Sequence, residues 1–142
     1  MILSENEYQE LLKNSHCKSR GDLVLGKKYH KISSLEEIIF TEFQFDPNVE
    51  ILETQPHFEI VPGFERNGKK YQPIHYTSDF RIKEDEKEII VEVKSKAILY
   101  VRRFDYPMRR KLFLKFITKN YPEIGFREII FDDKKQRTVI DY

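Results

Sequence analysis

Cysteine is nearly missing from this chain of 142 residues, where Cys17 stands alone. A single cysteine excludes an internal disulfide and any thiolate zinc cluster within one chain, and a reducing cytoplasm is its simplest setting. Long apolar runs are missing as well. No stretch approaches the ~18–20 residues that a membrane span requires, so no membrane partner is expected. The segment from Met1 to Gln9 carries Glu5 and Glu7 and lacks the basic start of a secretory signal. Repeats and low-complexity linkers are not found. Tryptophan is absent, yet the chain has eleven Phe and eight Tyr. With 39% hydrophobic and 35% charged residues, it has the composition of a folded globular protein, not a disordered one. Its length predicts one domain with room for a single core.

The net charge of +1 conceals an uneven distribution. Residues 1–62 hold six basic and eleven acidic residues, a net of −5, and all six basic ones lie between Lys13 and Lys31. Between Lys94 and Lys119 there are nine Lys or Arg and one acid, Asp105. Two basic segments on an acidic frame suit a polyanion. Taken alone, such runs more often mark solvated faces.

Apolar spacing predicts a short helix over Glu5–Asn14, followed by a basic segment to residue 31. A second helix starts at Ser33 or Ser34, each with a glutamate at capping-box spacing (Glu36 or Glu37), and stops at Asp46-Pro47. Leu35, Ile38, Ile39 and Phe43 form its apolar stripe. Strands are expected at 49–53 and 57–61, then a turn-rich excursion through Pro62-Gly63 and Asn67-Gly68. Alternation over Ile74–Ile82 predicts one strand, with Ile74, Tyr76, Phe80 and Ile82 on one face and His75, Thr77, Asp79 and Arg81 on the other. A charged turn over 83–87 leads to a strand at 88–95. A helix then runs from Asp105 or Pro107 to Tyr121-Pro122 with Met108, Leu112, Phe113, Phe116 and Ile117 buried. Strands at 126–131 and about 138–140 complete the chain. The expected class is α/β (α+β), with a mixed central sheet flanked by a helix on each face.

The chemically informative feature is Asp79 on one strand and Glu92-x-Lys94 on the next. The period of two puts Glu92 and Lys94 on one face, and Asp79 reaches it if the register permits. Similar spacings at Asp85, Asp132 and Asp133 lie in polar turns, whereas Glu92 interrupts the apolar run Ile89-Ile90-Val91-Glu92-Val93. An unpaired carboxylate in such surroundings is costly, and a hard cation such as Mg²⁺ removes the cost. A cross-strand salt bridge on an exposed sheet face explains the pattern equally well. Glu36 shifts the balance, because it aligns with Ile39, Phe40 and Phe43 and so should face the sheet. Its competing role is the return arm of a capping box with Ser33, and the two roles are hard to combine.

These residues resemble the PD-(D/E)XK nuclease superfamily. The resemblance runs through Ser33-Ser34-Leu35-Glu36, Phe45-Asp46-Pro47-Asn48-Val49, Gln55-Pro56, Tyr76-Thr77-Ser78-Asp79-Phe80 and Val91-Glu92-Val93-Lys94, spanning about residues 27–120. The order is similar to the endonuclease subunit of heteromeric cut-and-paste transposases and to small phage nuclease-like proteins, and more loosely to phage endonuclease I-type junction resolvases. Ser78 stands where that signature usually has proline. The resemblance implies an αβββαβ core within residues 32–142, preceded by the N-terminal helix and basic segment of residues 1–31. It implies a Mg²⁺- or Mn²⁺-dependent endodeoxyribonuclease, in the cytoplasm of a bacterium or phage-infected cell. Asp79, Glu92 and the Val93 carbonyl would bind metal, and Glu36 a second metal or a metal-bound water. Lys94 would act on the attacking water or the phosphate, and Gln55 would support the site. Arg102, Arg103, Arg109, Arg110, Lys111 and Lys115 are the phosphate-contact candidates, and Tyr100, Phe104 and Tyr106 are candidates for stacking on bases. DNA, duplex or branched, is the expected partner. A junction resolvase predicts a homodimer and a transposase-type subunit predicts a recombinase partner. A catalytically silent DNA-binding module of the same fold stays open, as does a globular domain whose acids merely pair with surface cations.

Overall fold

The first described helix begins where capping chemistry dictates. A computed structural model describes residues 33–101 and 105–142, the side chains of 98, 100 and 101 excepted. The expectations for Glu5–Asn14, for the basic segment to residue 31, and for Tyr100, Arg102, Arg103 and Phe104 therefore lie outside the described residues. Helix α1 spans Ser34–Phe45, with Ser33 as its N-cap and Glu36 closing the capping box. Ile39 and Phe40 are buried, and Leu35, Ile38 and Phe43 are partly so.

After α1 come β1 (Val49–Thr54), β2 (His57–Val61), β3 (Phe64–Arg66), β4 (Lys69–Tyr71), β5 (Ile74–Thr77), β6 (Phe80–Glu84) and β7 (Lys87–Ser95). A short helix α2 (Lys96–Val101), which the periodicity did not reveal, leads toward α3 (Asp105–Asn120), followed by β8 (Gly125–Phe131) and β9 (Arg137–Asp141). The protein is mixed α/β. Its main sheet has five strands in the order β1-β6-β7-β8-β9, with β7 and β8 parallel and the other neighbours antiparallel. The pairs β2–β5 and β3–β4 form two small separate ribbons.

Alternation along β7 feeds two cores. Ile89, Val91 and Val93 join Phe80, Ile82, Ile129 and Phe131 beneath α1. Ile90 turns the other way, to Tyr76, Phe113, Ile117 and Phe126 beneath α3. A helix therefore covers each face of the sheet, which is why β7 is apolar on both sides. Met108, expected in the buried stripe of α3, is 59% exposed. Tyr106 occupies the buried position instead, because a polar partner on β8 draws it inward.

The expected strand over 74–82 is broken. Ser78 and Asp79 separate β5 from β6, and the two halves belong to different sheets. Across the break the side-chain parity flips: Tyr76 lies in the α3-side core, whereas Phe80 and Ile82 lie in the α1-side core. Two backbone bonds from the β1–β2 junction hold the break, Gln55 N–H to the Asp79 carbonyl (2.8 Å) and Ser78 N–H to the Pro56 carbonyl (3.1 Å).

The β6–β7 connection is also tighter than the five residues expected. Glu84 pairs with Lys87, which leaves a two-residue turn with positive φ at Asp85 (47°) and Glu86 (69°). A turn with both central residues at positive φ matches the sheet's twist and prefers glycine second. Glu86→Gly is therefore expected to stabilise the fold by about 0.5–1 kcal/mol, the left-handed penalty less glycine's entropic cost. A higher urea midpoint at unchanged m-value is the readout. The exposed Lys83–Glu86 contact that is lost counts for little.

Candidate active site

The break at Ser78–Asp79 builds the acid–lysine cluster. At the end of β5 the chain leaves one ribbon and joins the main sheet, and Asp79 is turned toward β7. Its Oδ2 accepts the Val93 N–H at 2.6 Å, so Asp79 sits between Glu92 and Lys94 without being in regular strand register with them. Ser78, 1% exposed, donates from Oγ to the Val91 carbonyl at 2.7 Å. It also donates its backbone N–H to Pro56, a bond that a proline at this position lacks. The departure from the usual signature thus carries a structural role of its own.

Glu92 is 3% exposed. Its Oε2 accepts from the Tyr76 hydroxyl at 2.6 Å and its Oε1 meets the Lys94 ammonium at 2.6 Å. Sequence reading assigned Tyr76 to the apolar face opposite the acids. The parity flip brings it to Glu92 instead. Burial first, and then the charge of Glu92, push the Tyr76 hydroxyl far above its ordinary pKa, so it stays a donor at neutral pH. The Asp79 carboxyl is likewise raised well above the usual range, chiefly by burial, then by the charges of Glu92 and Glu36. For Lys94, burial opposes the charged form, but the carboxylates of Glu92, Asp79 and Glu36 outweigh it and the pKa rises.

Glu36 is brought near the cluster with its carboxylate engaged at the helix start. Its Oε2 accepts the Ser33 N–H, and the Ser33 hydroxyl accepts the Glu36 N–H, both at 3.2 Å. The capping role therefore wins the geometry, since the four free N–H groups at a helix start demand acceptors. The charge of Glu36 still reaches Asp79 and Lys94. Among the described residues, no three His, Cys, Asp or Glu side chains are spaced to hold one metal ion. The structure thus places Asp79, Glu92 and Lys94 together, with Val93 contributing its N–H and Gln55 acting through its backbone.

One buried acid escaped the sequence reading. Glu128, fully buried, faces Glu92 across the parallel β7–β8 pair. It accepts from the Tyr106 hydroxyl (2.5 Å), the Tyr142 hydroxyl and the Arg110 guanidinium (2.9 Å). The signal was weaker than at Glu92, because Glu128 follows Arg127 and the pair reads as an ordinary charged break before Ile129-Ile130-Phe131. Arg110 is accordingly a partner of Glu128 and not a free phosphate contact, and Tyr106 is buried and not open to bases. The Lys94 ammonium lies 5.1 Å from the centre of the Tyr106 ring, linking the two acid clusters along one face. Arg109 is half-buried with its guanidinium 5.9 Å from the Tyr76 ring centre, while Lys111 and Lys115 are exposed on α3. His75 stacks on His57 at 4.7 Å, on the exposed β2–β5 ribbon, and not beside Asp79 as the uninterrupted strand predicted.

Fold and side-chain geometry together define a mixed α/β protein with a buried two-carboxylate, one-lysine cluster at the edge of its central strands. The chain belongs to the family described as "Protein of unknown function (DUF1064)", whose model matches residues 5–136. Nothing among curated proteins matches it. No helix among the described residues is long and apolar enough to cross a membrane.

Proposed function

We propose that the protein is a Mg²⁺- or Mn²⁺-dependent DNA endonuclease of the PD-(D/E)XK type, hydrolysing phosphodiester bonds at the cluster of Asp79, Glu92 and Lys94. One observation carries this reading. On the buried face Glu128 has Arg110, but Glu92 and Asp79 share the single ammonium of Lys94. The cluster is thus one positive charge short, and its unbalanced member is the carboxyl whose ionisation burial and its neighbours most oppose. A divalent cation restores the balance. Magnesium is commonly held by only one or two protein carboxylates together with substrate phosphate, so two acids suffice without Glu36. The succession α1, β1, β6, β7, α3, β8 in the main body also follows the αβββαβ order that the resemblance implies.

In this reading Asp79 and Glu92 hold the cation, which when bound supplies Lewis-acid stabilisation of the phosphate and lowers the pKa of water. Tyr76 fixes the Glu92 rotamer through Oε2, and Val93 N–H fixes Asp79. Lys94, kept protonated by the three acids, aligns the attacking water and stabilises charge developing on the phosphate. Arg109, Lys111 and Lys115 remain the phosphate contacts on α3, and Glu36 contributes charge at longer range.

A second reading is a DNA-binding module of the same fold that cuts only with a recombinase partner. It is favoured by the bonds already made by both Glu92 oxygens, to Tyr76 and Lys94. The test incubates purified protein with duplex, branched and single-stranded DNA in Mg²⁺, Mn²⁺ or EDTA. Metal-dependent cleavage of at least one substrate is expected, lost in Asp79→Ala and reduced about 100- to 1,000-fold in Lys94→Met. Cleavage by Asp79→Ala at the wild-type rate, or none by wild type, overturns the first reading. Binding without cleavage selects the second.

A further inference from the structure

The excursion between β2 and β5 contributes nothing to either core. Residues 62–72 are all exposed. They fold back as the β3–β4 hairpin, with Phe64 opposite Tyr71, Glu65 opposite Lys70 and Arg66 opposite Lys69. Asn67 and Gly68, both at positive φ (52° and 75°), form the tip. Gly63 lies at the joint between the two ribbons, where a Cβ would come within 3.0 Å of the Tyr71 carbonyl, so the close crossing requires glycine.

The period of two sorts this hairpin sharply. One face carries Phe64, Arg66, Lys69 and Tyr71; the sole acid, Glu65, is on the other, opposite Lys70. On the first face the Phe64 and Tyr71 rings stack at 4.8 Å and 9° while remaining 56% and 41% exposed, and the Lys69 ammonium sits 5.5 Å from the Tyr71 ring centre. Two large aromatic rings held in water by each other and flanked by two cations suit a partner that is both anionic and flat-surfaced. The β2–β5 ribbon that carries the hairpin adjoins the site: Thr77 ends β5, and Ser78 and Asp79 follow it directly. At about 3.3 Å per residue, the five residues from Gln72 to Asn67 let the hairpin project at most roughly 17 Å, about half a turn of duplex. A two-stranded ribbon is also of a size that the major groove admits.

We propose that residues 62–72 form an arm that grips duplex DNA beside the cleavage site, with Arg66 and Lys69 at the phosphates and the Phe64–Tyr71 pair against the groove wall. The inference rests on DNA being the substrate and adds where the duplex is held. Arg66 and Lys69 neutralise two phosphates, the aromatic pair supplies apolar contact, and the face of Glu65 and Lys70 turns away.

The test measures binding of the full chain to a fluorescent duplex in EDTA, where no cleavage intervenes, across a salt series. Arg66→Gln with Lys69→Gln is expected to lower affinity at least tenfold and to reduce the log–log salt slope by about 1.8, two counterions' worth. Phe64→Ser with Tyr71→Ser should weaken binding with the slope unchanged. Lys134→Gln with Lys135→Gln, in the turn before β9, is the control and should change neither quantity to that degree. Because none of these residues is in a core, the urea midpoint checks that every variant is folded. Wild-type affinity in the Arg66/Lys69 variant, an equal loss in the control, or a loss confined to single-stranded DNA overturns the arm. Were wild type to bind through the arm and never cut, the arm would stand and the nuclease reading would fall; were the arm variants to bind as wild type while wild type cuts, the reverse would hold.

Discussion

Arg110→Met is expected to destabilise the protein by about 3 kcal/mol, at the lower end of the range for breaking a buried ion pair from one side. Glu128 is fully buried and cannot recover water when its cation is removed. It keeps the hydroxyl bonds of Tyr106 and Tyr142, which holds the loss to that lower end. Burial alone disfavours a charged Arg110, and the Glu128 carboxylate more than compensates, so the pair is mutually dependent. About 3 kcal/mol is a large share of a typical domain's 5–15 and corresponds to a fall in Tm on the order of 10 °C for a chain of this length. Arg110→Met combined with Glu128→Gln should recover more than half of the loss, because the neutral amide keeps both tyrosines as partners, its oxygen accepting from one hydroxyl and its NH2 donating to the oxygen of the other. Urea unfolding of the two variants decides the matter. Equal loss in both would mean that Arg110 acts by packing on the Tyr106 and Tyr142 rings and not by charge.

Asp79→Asn is expected to separate stability from activity. In the metal-free protein the Asp79 carboxyl is raised well above its unfolded value, by burial and then by Glu92 and Glu36. The folded state therefore binds the proton more tightly than the unfolded one. That contribution to stability is complete below the unfolded pKa and disappears as pH rises through the folded one. Wild type loses that contribution as pH rises above the unfolded pKa, and the isosteric amide, which does not titrate, does not. The amide oxygen can still accept the Val93 N–H. Asp79→Asn should thus be more stable than wild type by about 0.5–2 kcal/mol in EDTA at neutral pH, with the advantage vanishing toward acid. Under the nuclease reading, Mg²⁺ should stabilise wild type by mass action and leave the variant unmoved, while cleavage falls below detection. A variant less stable than wild type in EDTA would remove the charge imbalance on which that reading stands.

The pairing of Asp79 with Glu92 and Lys94 was legible for a simple reason. A charged residue inside a β-branched apolar strand has to be satisfied by something, and Glu92 occupies such a place. Glu128 was not legible in the same way, because Arg127 beside it makes the pair look like an ordinary surface charge pair. Tyr76 was not legible. Its alternation with Phe80 and Ile82 assigned it to the wrong face, since nothing local announces that β5 and β6 belong to different sheets. The bonds from Gln55 and Ser78 to the opposing chain make that break, and both cross between segments more than twenty residues apart. Glu36 was readable as either a cap or a ligand, and only the folded helix start, with Ser33 already returning the bond, decided for the cap.

By itself, then, the sequence determined the α1 stripe, the doubly apolar β7, the two helices on opposite faces and the acid–lysine pair on one strand. Periodicity and local capping chemistry depend on near neighbours, which the chain order contains. Tertiary structure alone decided which carboxylate has a cation of its own. Arg110 meets Glu128, and Asp79 must share Lys94 with Glu92, because pairing between distant segments depends on register and on a strand break that no short-range pattern encodes.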